Sequence, residues 1–351
     1  MRENKIYNWL KENLFSTWYN FLISIFILVI FFYSVPNFIE WAFIDSTFKG
    51  TTKQDCKSDG ACWVFVKIWF EKFIYGFYPT DQIWRVNVVF ITLLLIVALA
   101  FFTRQKFKLY IILFLILIFP IISLFILRGG AGLPYVETRV WGGLSLTFIL
   151  TFFGIVISFP LGVLLALGRR SELPVFRYFS IMFIEFWRGI PLITVLFAAA
   201  VTFPLFLPAN TSVDKLLRIA VGLAIFESAY IAEVVRGGLQ SLPKGQYEAA
   251  KSLGMGYWKM NFLIILPQAI KTVIPGITNT FIALFKDTPL ILLVGLTELL
   301  GMVNLAKKNS YWLGMVVEGY VFTAIVFWFF CYLLSLYTQN LEKKFSTEKK
   351  S

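Results

Sequence analysis

Histidine is absent from the 351 residues, and only three cysteines occur. Without histidine, neither Ser-His nucleophile systems nor imidazole-based metal centres can form. No Gly-x-x-x-x-Gly-Lys-Ser/Thr run is present, so the chain by itself is no P-loop ATPase. Charge is scarce as well: Asp, Glu, Lys and Arg make up 15% of the chain against 58% apolar residues, far from the balance of a soluble globular domain. No catalytic set and no metal site are expected.

What the chain does have is a succession of long apolar runs. A hydrocarbon core of about 30 Å takes about 20 helical residues per crossing, and runs of that order recur at Trp18–Tyr33, Val86–Phe102, Leu109–Leu127, Trp141–Gly168, Phe176–Leu205, Leu216–Val235, from Phe262, and Tyr311–Tyr337. These predict an all-α integral membrane protein of about eight transmembrane helices. The net charge of +12 is dispersed among the connections and forms no basic face with interleaved aromatics, which argues against a nucleic-acid partner. It reads as topology. Arg104, Lys106 and Lys108 crowd one short loop, Arg169-Arg170 close the fourth run, and Lys343-Lys344 follow the last; short basic loops stay in the cytoplasm, so both termini are expected there.

Three connections carry structure of their own. Ile6, Trp9, Leu10 and Leu14 recur at helical spacing, as in an interfacial helix, although a frayed tail fits too. Pro36 to Trp84 is a long loop expected outside, with Cys56 and Cys62 either joined or left as two thiols. Within it Trp63, Val66, Trp69 or Phe70, Phe73 and Phe77 make an apolar stripe, with Lys67 and Glu71 on another face, the pattern of a helix resting on the outer membrane surface. The stretch Ser241 to Pro267 is the longest polar segment in the apolar second half. Pro243 fits a first helical position, and Lys244, Glu248 and Lys251 are spaced for i,i+4 and i,i+3 pairing. Gly254 suits the position after the last turn, where φ > 0 is wanted, Gly256 prolongs the bend, and a second helix is expected near Tyr257. A short helix held sideways at a membrane surface is a handle for a partner.

Glu248-Ala249-Ala250, then Gly254 after three intervening residues, then Ile264, Leu266 and Pro267 resemble the whole "EAA" loop of bacterial ABC importer permeases. Ser228-Ala229-Tyr230, Glu233 to Gly238, Lys244-Gly245-Gln246, Arg188-Gly189-Ile190-Pro191-Leu192 and Lys286-Asp287-Thr288-Pro289-Leu290 look like the polar amino-acid subfamily, with Ile190 and Pro289 standing where many relatives carry Thr and Ser. The resemblance covers roughly residues 140–339. The long extension ahead of it looks like the membrane subunit of general L-amino-acid permeases. It implies a type I importer permease core at 138–340 with the coupling loop at 241–267, preceded by a three-span extension at 1–137 and followed by a basic cytoplasmic tail at 341–351. By this resemblance Gly245, Glu248, Ala249, Ala250, Gly254 and Pro267 are the residues of the ATPase-coupling loop.

Ionisable residues inside apolar runs mark function by default, since lipid tolerates them poorly. Glu227 lies mid-span with no basic residue within a turn and Tyr230 on its face; it is a candidate for the substrate path, or a neutral acid hydrogen-bonded in the bundle. Glu185 and Arg188 are three apart and either pair or gate; Glu233 and Arg236 repeat the spacing as a structural pair. Asp287 and Thr288 offer an acceptor and a hydroxyl to a substrate, or cap a helix end. Cys331 is expected to pack as a small apolar residue. The chain between Asp287 and Asn309 stays open between an outer connection and a re-entrant segment.

The resemblance thus implies a bacterial inner-membrane, multi-pass permease subunit of a binding-protein-dependent amino-acid importer. It carries no cofactor itself; ATP and Mg are used by a separate ATPase subunit. A periplasmic amino-acid-binding protein and a second permease, unlike rather than identical, complete the set of partners. The competing class is a secondary transporter or channel that uses Glu227, Glu185 and Asp287 as an ion path, for which no inverted internal repetition is visible. A membrane scaffold is a third.

Overall fold

Lipid offers no partner for a free N–H or C=O, so a spanning backbone must satisfy itself. In keeping with this, every regular element among the described residues is helical, with only isolated β-bridges between loops. The computed structural model describes residues 3–57, 59–103, 105–130, 132–208 and 211–348; Arg104 of the basic loop and the side chains of Ile6, Lys106 and Lys344 lie outside the described residues.

The chain forms two compact units, Met1–Trp69 with Lys307–Gly319, and Phe70–Ala306 with Tyr320–Ser351. The division does not follow the seam at 137/138; the second and third apolar runs belong to the larger unit.

In the smaller unit, α1 (Glu3–Asn13) exposes Tyr7 and Trp9, and the Thr17 hydroxyl accepts the Asn20 N–H at the start of α2 (Trp18–Ile39). This helix outruns the expected end at Tyr33: Pro36 is carried inside it, and a π-helical turn, Glu40–Ile44, prolongs it. A loop with a 3-10 turn at Lys53–Asp55 leads to α3 (Trp63–Tyr75), which begins in this unit. The expected helix is present, and its apolar stripe is divided: Val66 and Phe73 are buried, while Phe70 and Phe77 stay about half exposed. Val64 and Phe65, off that stripe, are fully buried, Phe65 against Trp312, and Lys67 stays exposed.

The larger unit continues with α4 (Ile83–Phe102), α5 (Gln105–Leu113) and α6 (Phe119–Arg128), the last two joined by a π-helical turn. Then follow α7 (Gly143–Arg169), α8 (Pro174–Gly189), α9 (Leu192–Phe197) and α10 (Lys215–Ser241). The polar stretch supplies α11 (Lys244–Ser252) and α12 (Tyr257–Met260), and after a π-helical turn α13 (Leu266–Asp287) carries Pro275 inside it. A short α14 (Leu299–Ala306) and the long α15 (Val316–Glu348) complete the chain.

Among the described residues, six helical runs are long and apolar enough to cross a membrane, and a bent pair makes up to seven, against the expected eight or so. Residues 176–205, read in sequence as one span, form this bent pair, one span in the total of seven but not a straight one. α8 stops at Gly189, and the run Pro174–Gly189 meets Leu192–Phe206 at 102°. Proline lacks the N–H that would continue the ladder and pushes the preceding residue out of the α region; Ile190 accordingly sits at φ −102°, ψ 137°. α10 has the length of a span, but it interleaves Arg218, Glu227, Glu233 and Arg236 with its apolar residues and is not among the six.

α10 is the hub of the larger unit. Ile219, Leu223, Ile231, Val235 and Leu239 recur at helical spacing and are fully buried, facing α7, α8, α9 and α13. Gly238 permits the closest approach: a Cβ there would stand 2.6 Å from the Ala269 carbonyl oxygen of α13. The open stretch after Asp287 folds inward. A 3-10 helix, Thr288–Val294, turns at Gly295 (φ 77°) into α14, and Ile291, Leu299, Met302 and Val303 are all buried. Its apolar face is spent on the core.

Candidate functional site

α11 is made by local chemistry. Pro243 stands at the N-cap rather than in the first turn, extended at ψ 141°, and its ring fixes the chain's entry. Gly254, at φ 68°, follows the last turn, and its N–H reaches the Lys251 carbonyl at 2.9 Å. No side chain would be hindered there by neighbours, so the glycine answers a backbone need alone. Gly256 is extended and caps α12. Among the described residues no ion pair within 4 Å joins Glu248 to Lys244 or Lys251; the helix is held from behind instead.

That hold has two parts. Ala250 is 1% exposed and packs in a cluster with Leu167, Leu239 and Met260. Beside it, Arg170 at the end of α7 donates through Nη1 to the Tyr247 hydroxyl at 2.6 Å and to the Leu239 carbonyl at 2.9 Å, its guanidinium 4.9 Å from the Tyr247 ring centroid. The Tyr247 hydroxyl donates to the same carbonyl at 3.0 Å. Gln268 of α13 donates to Gln246 at 3.2 Å. Glu248 and Ala249, by contrast, face out, as do Gly245 and Gly254. A groove of about 480 Å³ runs alongside, lined by Arg170, Glu172, Lys244, Tyr247, Glu248 and Lys251 among others. Pro267 opens α13, one turn into the bundle. The result is a helix with a fixed back and a free edge.

A charge cluster lies behind this handle. Among the described residues Glu185 and Arg188 do not pair with each other, so of the two alternatives the i,i+3 pair is not taken; their partners are on other helices. Arg169 reaches Glu185 at 2.9 Å and Glu233 at 3.5 Å, and Arg188 approaches Glu233 at 3.7 Å. Glu233 and Arg236 pair as expected, through Nε at 2.9 Å. Three guanidinium groups thus share Glu233, a quarter exposed, and Arg188 also sits 5.8 Å from the Tyr230 ring centroid.

Deeper along α10, Glu227 is 3% exposed. Its carboxyl lies close enough to that of Asp287, half-buried at the end of α13, for the two charges to interact. The structure brings together these two substrate-path candidates, which are 60 positions apart in the chain. Thr288 is different: it is fully buried, and its hydroxyl donates to the Phe285 carbonyl at 2.8 Å, the use of a helix-end cap. In the smaller unit Cys56 and Cys62 are disulfide-linked, with Cα atoms 5.5 Å apart, and the Cys62 N–H is accepted by the buried Glu318 at 3.1 Å. Cys331 is partly buried and free.

Sequence reading missed Arg170 and Tyr247 as the clamp, and Arg169 as the bridge to Glu185 and Glu233. The signal was present only as a basic pair closing an apolar run. Missed too was Glu298, fully buried, whose carboxylate accepts the N–H groups of Leu300 and Gly301 at 2.9 and 2.8 Å and so caps α14.

Residues 158–347 match the family described as "Binding-protein-dependent transport system inner membrane component". The chain is 50% identical over 340 residues to the inner membrane amino-acid ABC transporter permease protein YhdY of Escherichia coli (strain K12), covering 97% of this chain and 93% of that one. It is 34% identical to the glutamate/glutamine/aspartate/asparagine transport system permease protein BztC of Rhodobacter capsulatus, over 96% of this chain and 93% of that one. Among solved structures, an amino acid ABC transporter crystallised with histidines aligns at a TM-score of 0.51 and 28% identity, over 57% of this chain and 92% of that chain. The chain belongs to the binding-protein-dependent transport system inner membrane components, among the amino-acid ABC transporter permeases.

Proposed function

We propose that this chain is the permease half of an ATP-driven importer of polar L-amino acids, and that α11 is the part gripped by the ATPase subunit. The observation that carries the reading is the asymmetry of α11: Ala250 and Tyr247 anchor one side to α7 and α10, while Glu248 and Ala249 stand free beside an open groove. A load applied to the free edge is transmitted, because the anchored side cannot slide without breaking the Arg170 contacts. ATP and Mg act on the partner ATPase, and this chain makes and breaks no covalent bond. It alternates the side to which a path faces. Glu227 and Asp287 supply that path with carboxylates suited to a substrate ammonium group, and the cluster of Arg169, Glu185, Arg188, Glu233 and Arg236 lies between path and handle. A periplasmic amino-acid-binding protein delivers substrate, and a second permease, unlike this one, supplies the other half of the path. Both termini lie in the cytoplasm, on the side of the basic Arg169-Arg170 pair.

The test is amino-acid uptake in vesicles carrying the complete complex, comparing the native chain with Glu248→Arg and Gly254→Pro. Loss of uptake with the complex still assembled supports the reading. Native-rate uptake that follows a proton gradient without ATP overturns it.

A further inference from the structure

The first turn of α4 holds the largest fully buried side chain among the described residues, Arg85, at 0% exposure. Its Nη1 donates to the Pro134 carbonyl at 2.8 Å. Its Nε and Nη2 have no hydrogen-bond partner, and among the described residues no carboxylate pairs with it. These two nitrogens form one lateral edge of the guanidinium, the fork whose parallel N–H bonds grip an anion side-on. A third buried donor lacks an acceptor, the indole Nε1 of Trp141, which is 3% exposed. Tyr78 stands beside both: its ring lies 6.5 Å from that of Trp141, and its phenol oxygen is within hydrogen-bonding reach of the Arg85 guanidinium. The phenol proton is engaged at the Leu127 carbonyl, 2.7 Å away. Gln82, the N-cap of α4, makes no side-chain cap, so the positive end of the helix adds to the same region.

Buried N–H groups are nearly always satisfied, and a buried cation with no counter-charge is costly out of proportion to its size. Both debts have one remedy. We propose that Arg85 and Trp141 form a structural site for a small monovalent anion of the halide class, held by the Nε/Nη2 fork and the indole N–H. Full burial excludes a lipid phosphate, which would need an opening to the membrane surface. The bound anion locks α4 to the segment Pro134–Trp141 ahead of α7, since its ligands come from α4 and from Trp141.

The experiment is thermal unfolding of the purified full chain in detergent, in sodium chloride against sodium gluconate at equal ionic strength. The native chain is expected to gain about 3 °C in chloride, with saturation, as a ligand bound only by the folded state requires. Trp141→Phe keeps the fork and is expected to raise the half-saturating chloride concentration by about threefold, since one net hydrogen bond is worth on the order of 1 kcal/mol or less. Arg85→Gln should lose the chloride response. Should that variant fail to fold, bromide in crystals of the native protein gives the second reading: an anomalous peak at the Arg85 fork is expected. A chloride-independent transition in the native chain, or an ordered water at the fork in bromide, overturns the proposal.

Discussion

The contact between Arg170 and α11 can be cut in graded steps. Arg170→Met removes the two hydrogen bonds from Nη1, to Tyr247 and to the Leu239 carbonyl, and the stacking of the guanidinium on the Tyr247 ring. Hydrogen bonds from a charged donor contribute about 1.5–3 kcal/mol each when sheltered, and an exposed cation–π contact about 0.5–1 kcal/mol. Arg170 is exposed and its contacts border an open groove, so screening takes most of that, and a total of about 2 kcal/mol is the reasonable expectation. Tyr247→Phe keeps the ring under the guanidinium but loses the hydroxyl, for about 1 kcal/mol. If the anchored state of α11 is what passes movement to the bundle, these losses correspond to about thirtyfold and fivefold shifts toward a slack loop. The assay is the ratio of amino acid imported to ATP hydrolysed by the reconstituted complex. Both variants should hydrolyse ATP while moving less substrate per ATP, with Arg170→Met the worse. An unchanged ratio in Arg170→Met would refute the idea that the clamp transmits the stroke.

Other substitutions test separate parts of the structure. Gly254→Ala places a side chain at φ 68° with no contact to gain, and should lower stability by about 1 kcal/mol in thermal unfolding through backbone strain alone. Glu233→Gln leaves Arg169, Arg188 and Arg236 without their common carboxylate, for about 2 kcal/mol at a site a quarter exposed. Glu185→Gln, more than half exposed and paired, among the described residues, with Arg169 alone, should stay within about 0.5 kcal/mol; equal effects would mean the cluster is not centred on Glu233. Burial pushes the Glu298 carboxyl up to about 7, against the pull of its hydrogen bonds with Leu300 and Gly301. The folded state then holds a proton that the unfolded chain releases near its ordinary value, so this group's contribution to stability is complete at low pH and falls by about 3 kcal/mol as pH rises from about 4.5 to 7. Glu298→Gln should flatten the dependence of the melting temperature on pH across that window.

What could be read from the sequence was what local chemistry decides. α11 and its glycine turn were legible because caps, proline and positive φ act within a few residues. The apolar runs were legible because length alone bounds a crossing. The 102° bend was half legible: Pro191 marks a break, but its angle goes with the packing of α8 and α9 on α10 and other elements, which is tertiary. Pairings across helices were not legible. Glu185 and Arg188 match the spacing of an intrahelical pair, yet Arg169, at the end of another helix, outcompetes that geometry for Glu185. The segment after Asp287 was ambiguous for a similar reason. An amphipathic run of that length serves a surface or a core equally well, and the deciding fact, that α14 packs against α7 with Ile291 and Leu299 buried, is tertiary.

The same helix carries most of what matters. Glu227 sits in the middle of α10, Glu233 and Arg236 a turn or two further on, and Leu239 near its end offers the one carbonyl that both Arg170 and Tyr247 reach. A rigid helix rises about 1.5 Å per residue, so Glu227 and Leu239 are about 18 Å apart on a rod with no proline between them. On the proposed coupling, rotation of α11 reaches α10 through Leu239, just past Gly237-Gly238, the one pair of glycines on that stretch. It either turns α10 as a body or breaks the contacts at Leu239, and the ion cluster between must re-pair for α10 to turn. Arg188 is the freest member, 3.7 Å from Glu233 and resting on Tyr230. It follows that Arg188→Lys, which keeps the charge but gives up the planar guanidinium, should leave stability nearly unchanged, within about 0.5 kcal/mol. It should alter the rate of uptake at saturating substrate, measured in the same reconstituted complex. A variant that changes stability and leaves the rate alone would place Arg188 in the scaffold and remove it from the moving parts.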